Sequence, residues 1–337
     1  MREAMLYNKM DDQKVACYVC AHRCSISDGK RGVCQVRENR GGTLFSLVYG
    51  QAISQAVDPV EKKPLFHFYP GTTAYSVATV GCNFHCSFCQ NAEISQMPRD
   101  QGRILGRETT PEQLVAGARR YGSKSIAYTY TEPTIAFEYT YDTAQLAHKS
   151  GIKNVYVTNG YMTPEMLRQF HPYMDAANVD LKAFTEDFYH KICGAHLQPV
   201  LDSLKLMKEL GIWVEVTTLV IPTLNDSAEE LRNIATFIAQ ELGVETPWHV
   251  SRFYPTYRML DKPATPASTL HRARQIGLEA GLRYVYEGNI PGQGDEDTYC
   301  YHCGQPVIKR FSFSILEKHT RDGQCAYCGT KLDGVGL

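Results

Sequence analysis

Three cysteines, Cys82, Cys86 and Cys89, fall within eight residues at the spacing C-x3-C-x2-C. Thiolates gathered on one short loop can converge on three corners of a cubane iron–sulfur cluster, and a fully ligated cluster needs four cysteines. No fourth follows nearby in the chain, so one iron is left open to a ligand that is not protein. The spacing leaves two blander readings, a three-cysteine zinc site or three reduced thiols on a loop. The apolar, β-prone run from Ala74 to Val80 precedes the loop, so it leaves the end of a predicted strand.

Eight of the other cysteines form two groups of four. Cys17, Cys20, Cys24 and Cys34 are spaced C-x2-C-x3-C-x9-C on a poorly hydrophobic segment, which suggests a metal-nucleated fold. Zinc and an auxiliary iron–sulfur cluster both fit that group. Cys300-x2-Cys303 and Cys325-x2-Cys328, separated by 21 residues, resemble a zinc-ribbon or rubredoxin-like knuckle pair, each followed by a glycine. Simple reduced thiols are the alternative in both places. Grouping of this kind points to metals rather than disulfides. Cys193 stands alone, as packed thiols do.

The chain that must position these groups has 337 residues, enough for one barrel-sized domain with small modules. A formal net charge of -1 gives no electrostatic argument for nucleic acid. Lys62-Lys63 and Arg119-Arg120 read as solvated faces. No apolar run approaches the ~20 residues of a membrane span, so no membrane is expected. The first residues lack a signal-peptide core, and cytoplasmic residence follows.

Residues 1–16 read as a short polar helix, and residues 43–60 as a strand and connector. From about 74 to 288, strands alternate with amphipathic helices. The strands are Tyr75–Val80, Ser125–Tyr130, Asn154–Thr158, Ala177–Leu181, Ile212–Ile221, His249–Tyr254 and Arg283–Tyr286. Helices include Pro111–Tyr121, Pro164–Tyr173, Pro199–Leu210 and Ala228–Leu242, with Thr110 and Thr163 as caps before proline. The fold class expected is α/β, a partial (β/α)6 TIM-type barrel with small cysteine-rich metal-binding modules at both ends. A doubly wound α/β sheet is the rival. The implied divisions are 1–60, 61–296 and 297–337. The stretch Gly288–Gly294 opens no helix and is not read as a nucleotide loop.

In either architecture chemistry gathers beyond the carboxyl ends of the strands. There the sequence places Thr131-Glu132-Pro133, Thr158-Asn159-Gly160, Asp180-Leu181-Lys182, and His249 with Arg252. Each has a plain alternative: Glu132 as a helix N-terminal acid, Asp180 and Lys182 as an ion pair, His249 as a satisfied core histidine.

The C-x3-C-x2-C loop with Phe88 before its last cysteine resembles the signature of the radical S-adenosylmethionine (SAM) enzymes. The resemblance implies a [4Fe-4S] cluster whose open iron binds SAM, reductive cleavage of SAM, and a 5′-deoxyadenosyl radical that abstracts hydrogen. Glu132-Pro133 is similar to the end of that family's Gly-Gly-Glu-Pro segment, although both glycines are missing here. Asn159-Gly160 and Asp180-x-Lys182 resemble motifs of glycyl-radical-enzyme activases, whose matching positions hold the ribose and methionine ends of SAM. By the same likeness Phe88 and Thr131 join the cofactor-binding candidates, and His249 and Arg252 join them by their place in the strand, where they can meet carboxylates or a substrate.

From Cys17-x2-Cys20-x3-Cys24 with Gly32-x-Cys34 to Tyr286-x-Gly-Asn289 and the tail, the chain resembles the radical SAM member of the AmmeMemoRadiSam system, related to pyruvate formate-lyase activases. That implies a reducing partner such as flavodoxin or ferredoxin, and a small-molecule or peptide substrate. A glycyl-radical activase acting on a protein is the second reading. A non-catalytic metal or electron-transfer protein is the third, and it leaves Glu132, Asn159, Asp180 and Lys182 unexplained.

Overall fold

The computed structural model describes residues 1–290, 292 and 295–337. Of the Gly288–Gly294 stretch, residues 291, 293 and 294 therefore lie outside the described residues.

Its centre is one sheet of β1 (Ser54–Pro59), β2 (Thr73–Ala78), β3 (Ser125–Tyr128), β4 (Lys153–Thr158), β5 (Ala176–Asp180), β6 (Trp213–Val220), β7 (Trp248–Arg252) and β8 (Val285–Gly288). Neighbours in the sheet are neighbours in sequence, from β1 at one edge to β8 at the other. β1 runs antiparallel to β2, and all later pairs are parallel. A doubly wound sheet reverses its strand order at a switch point. This one never reverses, so it is the open partial barrel, with β1 as an added edge strand.

Six helices cross between the parallel strands: α1 (Pro111–Arg120), α2 (Phe137–Lys149), α3 (Pro164–Phe170), α4 (Gln198–Glu209), α5 (Ala228–Phe237) and α6 (Ala267–Glu279). Their starts follow the sequence. The Thr110 hydroxyl accepts from the Gln113 amide in a capping box, and Thr163 accepts from Met166. Every residue of β3 is buried, as expected of a parallel strand covered on both faces.

The first sixteen residues are not helical. Tyr7–Lys9 pairs with Val15–Cys17 in a hairpin whose turn puts Asp12 and Gln13 at positive φ. The adjacent aspartates favour that turn, and the segment has no 3.6-residue apolar period to offset it. Residues 43–60 divide between Thr43–Ser46, paired with Arg37–Arg40, and β1. At the other end Pro306–Phe311 and Ser314–Lys318 form a hairpin against Thr298–Tyr299.

The two terminal segments are held differently. Arg37 makes a buried bidentate pair with Glu138 of α2, at 2.7 and 3.0 Å. The C-terminal segment is tied through His67, whose Nδ1 lies 2.6 Å from the Asp333 carbonyl, and through Arg310, which donates to the Phe66 carbonyl.

Candidate active site

Beyond β2 the chain turns at Gly81 into the loop of Cys82, Cys86 and Cys89. Gly81 has φ +101°, and a side chain there would lie 2.8 Å from Val36 Cγ1 and 3.3 Å from the Cys34 carbonyl. Only glycine passes. The loop is clamped from outside by the π-turn Tyr189–Cys193: the His85 amide donates to the Cys193 carbonyl at 3.0 Å and the Ser87 amide to that of Ile192 at 3.2 Å. A side chain on Gly194 would collide with the His85 ring. Inside the loop, the Phe84 amide donates to Cys82 Sγ at 3.3 Å, and Ser95 Oγ sits 3.1 Å from Cys89 Sγ.

All three cysteines open on a cavity of about 660 Å³ at the carboxyl ends of the strands. Phe88, Thr131, Glu132, Asn159, Asp180, Lys182 and His249 line the same cavity. Glu132 is fully used as a clamp between strand ends. Its carboxylate accepts from the amide and hydroxyl of Thr134, the Thr158 hydroxyl and the Asn159 amide, at 2.5–3.0 Å. Asn159 Nδ2 donates to Asn83 Oδ1 at 2.8 Å, fixing the residue beside Cys82, while the buried Asn83 Nδ2 has no partner among the described residues. Lys182 Nζ lies 2.9 Å from Asp180 Oδ2 and 5.7 Å from the centre of the Phe88 ring. Burial alone would push the Lys182 ammonium down, but Asp180 and the thiols of Cys86 and Cys193 outweigh it and hold the group well up. His249 is oriented by Glu215 at 2.7 Å, a carboxylate itself held by the amides of Phe66 and His67.

Two expected residues fall elsewhere. Arg252 is three positions from His249, so the alternation of a strand points it to the other side, where its guanidinium lies over the Tyr254 ring at 4.9 Å. Gly160 is absent from the lining; with φ +70° it packs on Val179 and lets the chain turn after β4.

Other residues were missed. Lys63, expected on a solvated face, is 1% exposed and lies 2.6 Å from Asp58 in the cavity wall. Its ammonium sits 4.5 Å from the centre of the Tyr130 ring, and the Tyr130 hydroxyl donates to Asp58. Tyr130 has φ +67°, a conformation that favours glycine, at one of the two positions where Gly-Gly was missing. The clamp of Lys63 and Asp58 holds the ring in place of that freedom. Cys193 was read as a packed thiol with no other cysteine near it. In space it neighbours Cys86; this neighbour and the charge of Lys182 draw the Cys86 thiol down, whereas burial pushes Cys82 and Cys89 up. Cys193 does not line the cavity. Ser312 and Phe313, from the C-terminal hairpin, do line it. No local pattern in the sequence marks these long-range neighbours.

The two four-cysteine groups differ. The sulfurs of Cys300, Cys303, Cys325 and Cys328 all lie within 4.8 Å of one another, with two opposing edges of 3.7 Å. Four thiolates around one tetrahedral ion at about 2.3 Å are about 3.8 Å apart, so this set fits a single metal ion. Cys17, Cys20 and Cys34 are buried and Cys24 is half-buried, but among the described residues this group does not reach that mutual closeness.

The sequence profile of the Radical SAM superfamily matches residues 76–238. An uncharacterized protein of Methanocaldococcus jannaschii is 50% identical over 99% of this chain and 100% of its own length. A pyruvate formate-lyase-activating enzyme of Clostridium pasteurianum is 27% identical, over 61% of this chain and 89% of its own. Among solved structures, a radical SAM methyltransferase from Sphaerobacter thermophilus superposes with a TM-score of 0.52 at 19% identity, over 65% of this chain and 67% of that one. Residues 76–238, just under half of the chain, therefore form a domain of the radical SAM superfamily; the protein is a radical SAM enzyme, and its cofactors are a [4Fe-4S] cluster and SAM. No helix among the described residues is long and apolar enough to cross a membrane.

Proposed function

We propose that Cys82, Cys86 and Cys89 hold the [4Fe-4S] cluster and that the enzyme acts on a small molecule or peptide in the adjoining cavity. When bound, the cluster and SAM supply reductive cleavage and a 5′-deoxyadenosyl radical for hydrogen abstraction. The residues present suit both groups. Three thiols open on one cavity. SAM brings a carboxylate, an ammonium and ribose hydroxyls, so it needs both signs of charge and several hydrogen bonds. Lys182, Asp180, Asn159 and His249 offer these from the cavity wall, and Glu132 holds the strand ends that carry them.

The observation that carries this reading is that the three cysteines and these polar residues share one cavity. A volume of about 660 Å³ is ordinary for a small-molecule site. Ser312 and Phe313 of the C-terminal hairpin also line it, and a space of this size favours a substrate smaller than a folded protein partner. Likeness to an activating enzyme supports the second reading, a glycyl radical installed on a protein.

Anaerobic reconstitution with SAM tests the proposal without knowing the substrate. Replacing Cys82, Cys86 and Cys89 by alanine should end 5′-deoxyadenosine formation, and its persistence would falsify the assignment. Lys182→Ala should weaken SAM binding by roughly 2–5 kcal/mol while the fold survives, because it strips a buried charge-assisted partner. Titration calorimetry with SAM gives the number, and parent-like affinity would make the pair with Asp180 purely structural.

A further inference from the structure

We propose that Cys17, Cys20, Cys24 and Cys34 hold an iron–sulfur cluster that relays electrons to the cluster of the Cys82 loop, an inference that rests on the reading of that loop given above. The Cys17 amide donates to the Cys24 carbonyl at 2.9 Å, and Gly32 lets Cys24 Sγ approach to 3.6 Å of where a side chain would be. Their spread is wrong for one ion, in contrast to the C-terminal set, whose sulfurs lie within 4.8 Å. Among the described residues Cys82, Cys86 and Cys89 likewise fall short of that closeness. Thiolates that each hold a different iron must stand farther apart than thiolates sharing one ion.

A second observation points to an anionic occupant. Arg37 is 1% exposed, and its Nε–H has no acceptor among the described residues, although its other nitrogens bond Glu138 and the Ile135 carbonyl. Cys17 and Cys34 lie close enough to bear on its guanidinium, after Glu138. A cluster's thiolates and sulfides would supply the missing acceptor.

Position gives the function. The Cys34 carbonyl lies 3.3 Å from where a side chain on Gly81 would be, next to Cys82. His22 Nε2 lies 2.8 Å from the Asn83 carbonyl, and the His22 ring packs on Tyr161, which packs on Phe84. The N-terminal group thus touches the back of the loop, whereas substrate occupies its front. Cys24, half-buried, faces outward. One electron from a reduced flavodoxin- or ferredoxin-class protein would reduce this cluster, which passes it to the loop cluster and returns to its oxidised form.

The test begins with the full chain, reconstituted anaerobically with iron, sulfide and zinc. About eight irons and one zinc per chain are expected for two cubanes and one single-ion site. Cys20→Ser and Cys34→Ser should each lose about half the iron while the SAM-induced change in the electron paramagnetic resonance signal of the loop cluster remains. The ratio of ferredoxin-fed to dithionite-fed 5′-deoxyadenosine formation should fall roughly tenfold or more. Two zincs and half the iron in the parent overturn the proposal, as does an unchanged ratio in a variant lacking the N-terminal metal. If a variant fails to fold, the parent's metal count still decides. A parent that cleaves no SAM even with dithionite fails the radical reading instead, a separate outcome.

Discussion

Two sets of four cysteines sit at opposite ends of this chain, and they share ligand type but little else. At the C-terminus the sulfurs have closed to single-ion distances, Cys328 is exposed, and the surrounding core is no more than Val307 and Leu332 with the cysteines themselves and Leu337. At the N-terminus the thiols are spread and mostly buried, and Cys17 and Cys20 belong to the same apolar core as the barrel. A small segment that cannot bury enough apolar surface uses metal in place of a core. A segment already packed on the barrel does not need metal to fold, so its cysteines are available for redox work.

The comparison breaks most sharply when metal is removed. Chelation, or Cys300→Ser with Cys328→Ser, should unfold residues 297–337 completely while the barrel stays folded. The N-terminal segment should remain folded when its own metal is removed, because its core is shared. Hydrogen exchange resolved by segment reads both outcomes. Protection lost at the N-terminus, or kept at the C-terminus, would reverse the contrast.

Much of this architecture is legible in the sequence. Strand–helix alternation marks all seven parallel strands to within a few residues, because each is a short, largely apolar run set between amphipathic helices. The cysteine spacings marked all three groups. What escaped depends on contacts distant in sequence. Lys63 looked solvated because no local signal shows that Asp58 and Tyr130 enclose it. Cys193 looked isolated because its partner is more than a hundred residues away. Arg252 was a different kind of miss: the period of two along β7 separates it from His249, and counting alone would have excluded it. The polar helix expected at the N-terminus lacked an apolar stripe from the start.

The next effect in size concerns the N-terminal tie. Arg37 and Glu138 are 1% and 0% exposed, and Glu138 also accepts from the Met5 amide. Glu138→Ala leaves a guanidinium buried without its carboxylate, so a loss of about 3–5 kcal/mol is expected. Arg37→Met with Glu138→Leu should restore much of that, since desolvation opposes the pair's attraction. Urea unfolding of the three variants measures it. A Glu138→Ala loss below 1 kcal/mol would mean the N-terminal segment is held by apolar packing alone.

The C-terminal tie should be weaker and, unlike the N-terminal one, sensitive to mild acid. His67 is fully buried, with Nδ1 facing the Asp333 carbonyl and Nε2 facing the Tyr286 hydroxyl, both at 2.6 Å. One neutral tautomer satisfies both contacts, donating to the carbonyl and accepting from the tyrosine. Burial pushes the imidazole down to about 4, against an ordinary value of 6.5. Between those values the unfolded chain takes up a proton that the folded chain refuses. Stability from this contact is therefore complete above pH 6.5 and is lost as pH falls toward 4, by about 3 kcal/mol in all. Arg37 does not titrate in that range, so the N-terminal tie should not share the slope. His67→Gln keeps a donor and an acceptor but has no proton to gain. Metal-loaded parent and variant, followed by denaturant unfolding from pH 7 to pH 4, should diverge only through this window. Parallel curves would show that the C-terminal segment is not anchored through His67, and that its docking differs from the N-terminal one in strength alone.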